Sequence, residues 1–225
     1  MNSKKSIYNY SFLLIQGGSI MNKVLLQGQI VNIYKQEFFT AITLAIPNGS
    51  VINYPSIYFY KNEKEMADSY KKNDYVNITG QIKARGVKNG DKWYMKQYIK
   101  GSLIYLVKNE MSEKFLCNLN GRYEYINEFL INGPIVKKEI TNDVITIAIR
   151  PHNEKFNIYL RSYSKNHSWY DEYKENDELC IKGLVQTLRR NNQYGVQYYQ
   201  NFIIEYSGIP ASPEIDDPYN ILGLA

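Results

Sequence analysis

The chain has few of the residues that build metal centres or disulfide frameworks: its 225 residues include two cysteines, Cys117 and Cys180, and two histidines, His152 and His167. None of these has metal-ligand spacing, so neither a zinc site nor a disulfide scaffold is expected, and no metal or other cofactor is implied. Reduced thiols in a cytoplasmic protein are the expectation. No apolar run approaches the roughly 20 residues that cross a bilayer, so no membrane partner is expected. The segment Ser11-Phe12-Leu13-Leu14-Ile15 follows Lys4 and Lys5 in the manner of a weak secretion signal, but its apolar run is shorter than the usual seven or more residues. No phosphate-binding Walker loop and no nucleophile–base pair is present, which argues against an enzyme.

Residues 1–20 have a second reading. Gln16-Gly17-Gly18 can be encoded by a purine-rich ribosome-binding sequence, and Ser19-Ile20 place Met21 at a normal start distance. The expectation is an N-terminal extension, 1–20, that is not translated; mass spectrometry of protein from the native gene checks it.

What the chain does have is a pattern written twice. Asn22-Lys23-Val24-Leu25-Leu26-Gln27-Gly28 opens the first copy and Phe129-Leu130-Ile131-Asn132-Gly133 the second. Ile42-Thr43-Leu44-Ala45-Ile46 matches Ile145-Thr146-Ile147-Ala148-Ile149, and Ile57-Tyr58-Phe59 matches Ile158-Tyr159-Leu160. Tyr70-Lys71-Lys72-Asn73-Asp74 matches Tyr173-Lys174-Glu175-Asn176-Asp177. Copies of this length are domain duplications, not solenoid units. The expected organisation is a first domain at 21–108, a connector at 109–121, a second domain at 122–208 and an acidic tail at 209–225. The connector is neither Pro-rich nor Gly/Ser-rich, so the domains are expected to pack together.

Charge divides along the same line. The overall balance is +5, yet residues 21–110 hold 13 Lys/Arg against 7 Asp/Glu, while residues 111–208 hold 12 of each. The first copy therefore has the electrostatic footprint of a polyanion binder, and the second does not. The 22 tyrosines are amphipathic, serving as strand filler or as stacking platforms.

Period-two alternation rich in Val, Ile, Tyr and Thr predicts strands near 22–34, 38–47, 53–60, 75–85 and 93–106. In the second copy it predicts strands near 122–138, 143–150, 155–162, 178–189 and 194–207. Glu63–Tyr70 reads as a helix with Met66, Ala67 and Tyr70 on one face, and a counterpart lies around Trp169–Tyr173. A helix between the third and fourth of five strands is the order of the OB-fold. The predicted fold class is all-β with one short helix per domain: two tandem five-stranded OB-fold Greek-key barrels.

At this point a family comes into view. Asn22-Lys23-Val24-Leu25-Leu26-x-Gly28, Ile42-Thr43-Leu44-Ala45, Lys64-Glu65-x-Ala67-x-Ser69-Tyr70-Lys71-Lys72 and Val76-x-Ile78-x-Gly80-Gln81-Ile82-Lys83-Ala84-Arg85 resemble the bacterial single-stranded DNA-binding protein, over about 85 residues. The resemblance implies stacking of bases on aromatic platforms and a basic groove along the backbone, without sequence preference. Two of the family's stacking positions fall on Tyr54 and Tyr60, which alternation puts on one face with Tyr58. Two of its tryptophan positions fall on Ser50 and Val87, and Trp93 with Tyr94 are candidate substitutes. Lys83, Arg85, Lys88 and Lys92 are candidate phosphate contacts. In the second copy the positions of Tyr54 and Tyr60 are read as Lys155 and Arg161, and Arg189 and Arg190 form its other basic cluster. That barrel is expected to bind weakly or to serve assembly.

Family members often place four OB-folds in one particle, which implies a homodimer here. Asp216-Asp217-Pro218-Tyr219 is similar to the family's terminal motif that recruits replication and repair proteins. The leading expectation is a protein that coats single-stranded DNA in replication, recombination, repair or DNA transfer. The alternatives are an assembly or mediator protein acting through protein contacts, and an RNA-binding OB protein.

Overall fold

The computed structural model describes residues 21–48, 50–107, 126–152, 154–163, 168–192 and 195–208. The expected extension 1–20, the connector 109–121 and the tail with Asp216, Asp217, Pro218 and Tyr219 lie outside the described residues. The elements run β1 (Asn22–Lys35), β2 (Phe39–Asn48), β3 (Val51–Asn53), β4 (Ser56–Tyr60), α1 (Asn62–Asp68), β5 (Tyr75–Asn89), β6 (Lys92–Leu106), β7 (Asn127–Thr141), β8 (Val144–Ile149), β9 (Ile158–Ser162), α2 (Ser168–Glu172), β10 (Glu178–Asn192) and β11 (Gly195–Gly208).

Strand pairing closes twice into a ring of five. β1 pairs with β2, β2 with β4, β4 with β6 in parallel, β6 with β5, and β5 with β1. The order β7–β8–β9–β11–β10–β7 repeats this, again with one parallel pair, β9 with β11. Closure follows from alternation: inward residues Val24, Leu26, Ile42, Ile57, Phe59, Ile78 and Ile99 are buried, and so are Phe129, Ile131, Ile147, Leu160, Ile181 and Phe202. The apolar face of α1 adds Ala67, with Met66 and Tyr70 against the same core, and the Tyr70 hydroxyl donates to the Ile104 carbonyl at 3.0 Å.

The turn before β5 is built identically in both rings. Asn73 and Asn176 adopt left-handed φ values of 77° and 75°. Their N–H groups donate to the Ile30 and Ile135 carbonyls at 2.8 Å each, and the following Asp74 and Asp177 accept from the Lys71 and Lys174 N–H groups at 2.8 and 2.7 Å. Asparagine tolerates this backbone and a β-branched residue does not. Asn73→Val is expected to lower stability by about 1–2 kcal/mol, whereas Asn73→Gly should be near neutral; urea denaturation of both variants checks this.

The spatial register of the two rings differs from the alignment the sequence invites. Gly28 and Gly133 lack a Cβ that would meet the Ala45 and Arg150 carbonyls respectively, so Ala45 corresponds to Arg150 and Ile42 to Ile147. Ile57 and Leu160 pair with the equivalent Ile99 and Phe202, so Tyr58 corresponds to Arg161 and Tyr60 to Tyr163. The matches of Ile42 to Ile145 and of Tyr60 to Arg161 are therefore two residues out of step. A slip of two keeps every side chain on its proper face, so alternation cannot detect it.

β1 and β7 also pair with each other, antiparallel, from Asn22↔Ile131 to Leu26↔Asn127, which makes one continuous sheet of the two rings. The central pair, Val24↔Phe129, joins equivalent positions of the two copies, so a local two-fold axis passes through it. The same symmetry appears in the side chains. Asn22 donates to the Ile82 carbonyl and accepts from its N–H at 2.8 and 2.9 Å, and Asn127 does so with Val185 at 2.9 and 3.0 Å. Gln97 of β6 holds the Tyr159 backbone of β9, while the equivalent Gln200 of β11 accepts from the Ser56 N–H of β4 at 2.9 Å.

Candidate nucleic-acid interface

The outward faces of β1, β2, β4 and β6 bring five aromatic rings together on the first ring of strands. Cross-strand register sets Phe39 opposite Tyr60 and Ala41 opposite Tyr58, with Tyr34 also opposite Ala41. Phe39 sits at the centre, with ring centroids 5.7 Å from Tyr58, 5.9 Å from Tyr60 and 6.1 Å from Tyr34. Tyr98 of β6 meets Tyr58 edge-on at 5.9 Å and Tyr60 at 6.5 Å. Tilted and edge-on pairs at these spacings are the favoured aromatic geometry, and they fix the rings while leaving faces open to solvent. Tyr34 is 54% exposed, and Phe39, Tyr58, Tyr60 and Tyr98 are half-buried.

Cations border this cluster. The Arg85 guanidinium lies over the Tyr98 ring at 5.7 Å, and Lys96 is opposite Arg85 on the same face. Lys100, opposite Tyr58, stands 4.0 Å from Glu63. Burial, followed by the neighbouring Tyr98, raises the Tyr60 hydroxyl above its ordinary pKa, with Arg85 opposing. Tyr60 thus remains neutral and offers a hydroxyl donor instead of a charge that would repel a polyanion.

The expected residues distribute unevenly about this surface. Tyr58, Tyr60 and Arg85 belong to it. Tyr54 does not share a strand with them: Pro55, with no N–H to give the ladder, splits the expected strand into β3 and β4. Tyr54 lies in the break, 37% exposed, and its N–H donates to Thr187 Oγ1 at 3.1 Å. Lys83 is on the outer face opposite Tyr98, but its ammonium is paired with the Glu154 carboxylate of the second ring.

Further along the β5–β6 hairpin, Lys92 and Tyr94 keep the face of Arg85. Lys88 and Trp93 lie on the opposite face, the one that carries Gln97. All four are exposed, Trp93 by 71%. In the second ring Arg161 is half-buried and outward, while Arg189 is exposed on the hairpin face that carries Thr187. Arg190 is in β10, and its side chain lies outside the described residues.

Tyr34, Phe39 and Tyr98 escaped the sequence reading. Their outward parity was legible beside the buried Thr40, Ile42 and Ile99, but their meeting depends on the pairing of separate strands. The second ring does not repeat the cluster: Glu139, Val144, Arg161, Tyr163 and Asn201 occupy the positions of Tyr34, Phe39, Tyr58, Tyr60 and Tyr98, and Leu188 that of Arg85.

No family model and no curated protein sequence matches the chain. Among solved structures, the wild-type single-stranded DNA binding protein from Thermus aquaticus superposes with a TM-score of 0.62 at 13% identity, covering 89% of this chain and 98% of its own. The chain shares the fold of that Thermus aquaticus protein. A deletion variant of the Thermus aquaticus protein gives a TM-score of 0.59 at 16% identity, over 85% of this chain and 95% of its own. The all-β OB-fold architecture expected from the sequence stands. Among the described residues no helix is long and apolar enough to cross a membrane.

Proposed function

We propose that this chain is a non-enzymatic protein that coats single-stranded DNA without sequence preference. The observation carrying the proposal is the aromatic cluster of Tyr34, Phe39, Tyr58, Tyr60 and Tyr98, bordered by Arg85, Lys96 and Lys100 and built on only one of two equivalent rings. Bases of any identity have a π-face for such rings, and cations along the border take the phosphates. Lys92 and Tyr94 extend the same face along the hairpin. The shared fold with the Thermus aquaticus protein supports the reading. The second ring, with Arg161 in place of Tyr58, binds more weakly or serves assembly. A homodimer would place four barrels in one particle, and the acidic tail would recruit replication or repair proteins in the cytoplasm.

The test is fluorescence anisotropy of labelled oligo-dT with the full chain at two salt concentrations, with duplex DNA and RNA as competitors. Single-strand-selective binding that falls steeply with salt is expected. An RNA preference would reassign the polymer, and no binding at either salt would turn the aromatic face into a protein contact.

A further inference from the structure

A polar cleft of about 490 Å³ lies where the two rings meet, lined by residues that include Lys23, Lys83, His152 and Glu154. It opens beside the aromatic face, because Lys83 is the cross-strand partner of Tyr98 on β5 and β6. Lys83 and Glu154 are both largely withdrawn from solvent, with side chains 24% and 19% exposed, and their charges are paired across the seam. At the place related by the local two-fold, Gln186 stands for Lys83. There, among the described residues, the seam is held by neutral groups: Asn53 Oδ1 accepts from the Thr187 N–H and the Tyr54 N–H donates to Thr187 Oγ1, each at 3.1 Å, beside the β1–β7 ladder and the glutamine–backbone contacts common to both places. Neutral groups serve at one place and a charged pair at the other, so the charge of Lys83 and Glu154 is what sets this side of the seam apart.

We propose that Glu154 is an affinity-limiting residue: its carboxylate occupies the ammonium of Lys83 in the place a nucleic-acid phosphate would take, so that the second ring holds down the affinity of the first. This inference rests on the single-stranded DNA reading above. A phosphate running along the face from Arg85 toward the cleft meets Lys83 already neutralised. Lys83 then adds nothing to the counterions released on binding, and its potential contact stays latent until Glu154 is displaced or removed.

Glu154→Gln keeps the size and hydrogen-bonding reach of the side chain and removes its charge. Measured with the full chain and labelled oligo-dT, this variant is expected to bind about fivefold tighter near 50 mM salt, with a log K against log salt slope steeper by about 0.7, the share of one added phosphate contact on a single strand. Lys83→Gln alone uncovers the Glu154 carboxylate beside the face and should lower affinity, with the slope no steeper than wild type. Lys83→Gln in the Glu154→Gln background should cancel the gain, which a general loosening of the seam would not do.

An unchanged slope in Glu154→Gln, or a gain that survives Lys83→Gln, overturns the inference while leaving the DNA reading intact. Failure of the wild-type chain to bind oligo-dT at either salt overturns the DNA reading itself. Thermal unfolding of each variant confirms that the comparisons are made on folded protein.

Discussion

Tyr98→Ala is expected to weaken binding of oligo-dT by about 5- to 150-fold, the equivalent of losing one base–aromatic stack of about 1–3 kcal/mol. Tyr98 touches both Tyr58 and Tyr60 edge-on and underlies Arg85, so its removal takes away a platform and the support of two others. Tyr58→Ala should act in the same range. The double variant should cost less than the product of the two, because touching residues do not contribute independently. Tyr98→Phe keeps the ring and should stay within about twofold of wild type, since the π-face does the stacking.

Two controls locate the effect. Tyr163→Ala alters the position equivalent to Tyr60 in the second ring, where the surrounding cluster is replaced by Glu139, Val144 and Asn201, and it should change affinity little. Tyr54→Ala should lie between, because its ring stands apart from β4 at the break made by Pro55. An unchanged affinity in Tyr98→Ala would mean that the aromatic face is covered by protein and not by bases.

The second large effect is on stability. Phe129→Ala is expected to cost about 3–5 kcal/mol, the range for truncating a buried phenylalanine. Phe129 is fully buried, meets Phe202 edge-on at 5.8 Å, and fills the space left by Gly183, whose absent Cβ would meet its ring. Its backbone is also the partner of Val24 at the two-fold axis, so one residue serves the second core and the seam. The urea midpoint should fall steeply, with oligo-dT affinity at low denaturant close to wild type. A loss below about 1 kcal/mol would mean that the second core collapses around the missing ring, which its β-barrel closure argues against.

The alternation of residues such as Ile57, Tyr58, Phe59 and Tyr60 made strands, core and the helix order of an OB-fold legible, because burial on one face imposes period two directly on sequence. The aromatic cluster was legible only in part. Tyr58 and Tyr60 share a strand and could be read together, whereas Phe39 and Tyr98 reach them through hydrogen-bonded register that a single strand does not encode. The interruption at Pro55 was present in the sequence as a proline inside an apolar run, and it separates Tyr54 from its expected neighbours. The pairing of Lys83 with Glu154 was not legible at all, since it joins residues 71 positions apart across the seam.

The β1–β7 ladder has a consequence for stoichiometry. Two identical chains joined through their first strands would separate on dilution and would have to carry the same surface on both halves, since one gene would encode both. Here the two strands belong to one polypeptide, so their pairing is intramolecular and independent of protein concentration. Each half is also encoded separately, so Tyr98 can persist on one side while Asn201 stands on the other. Fusing the two halves fixes their ratio at one to one and frees them to specialise.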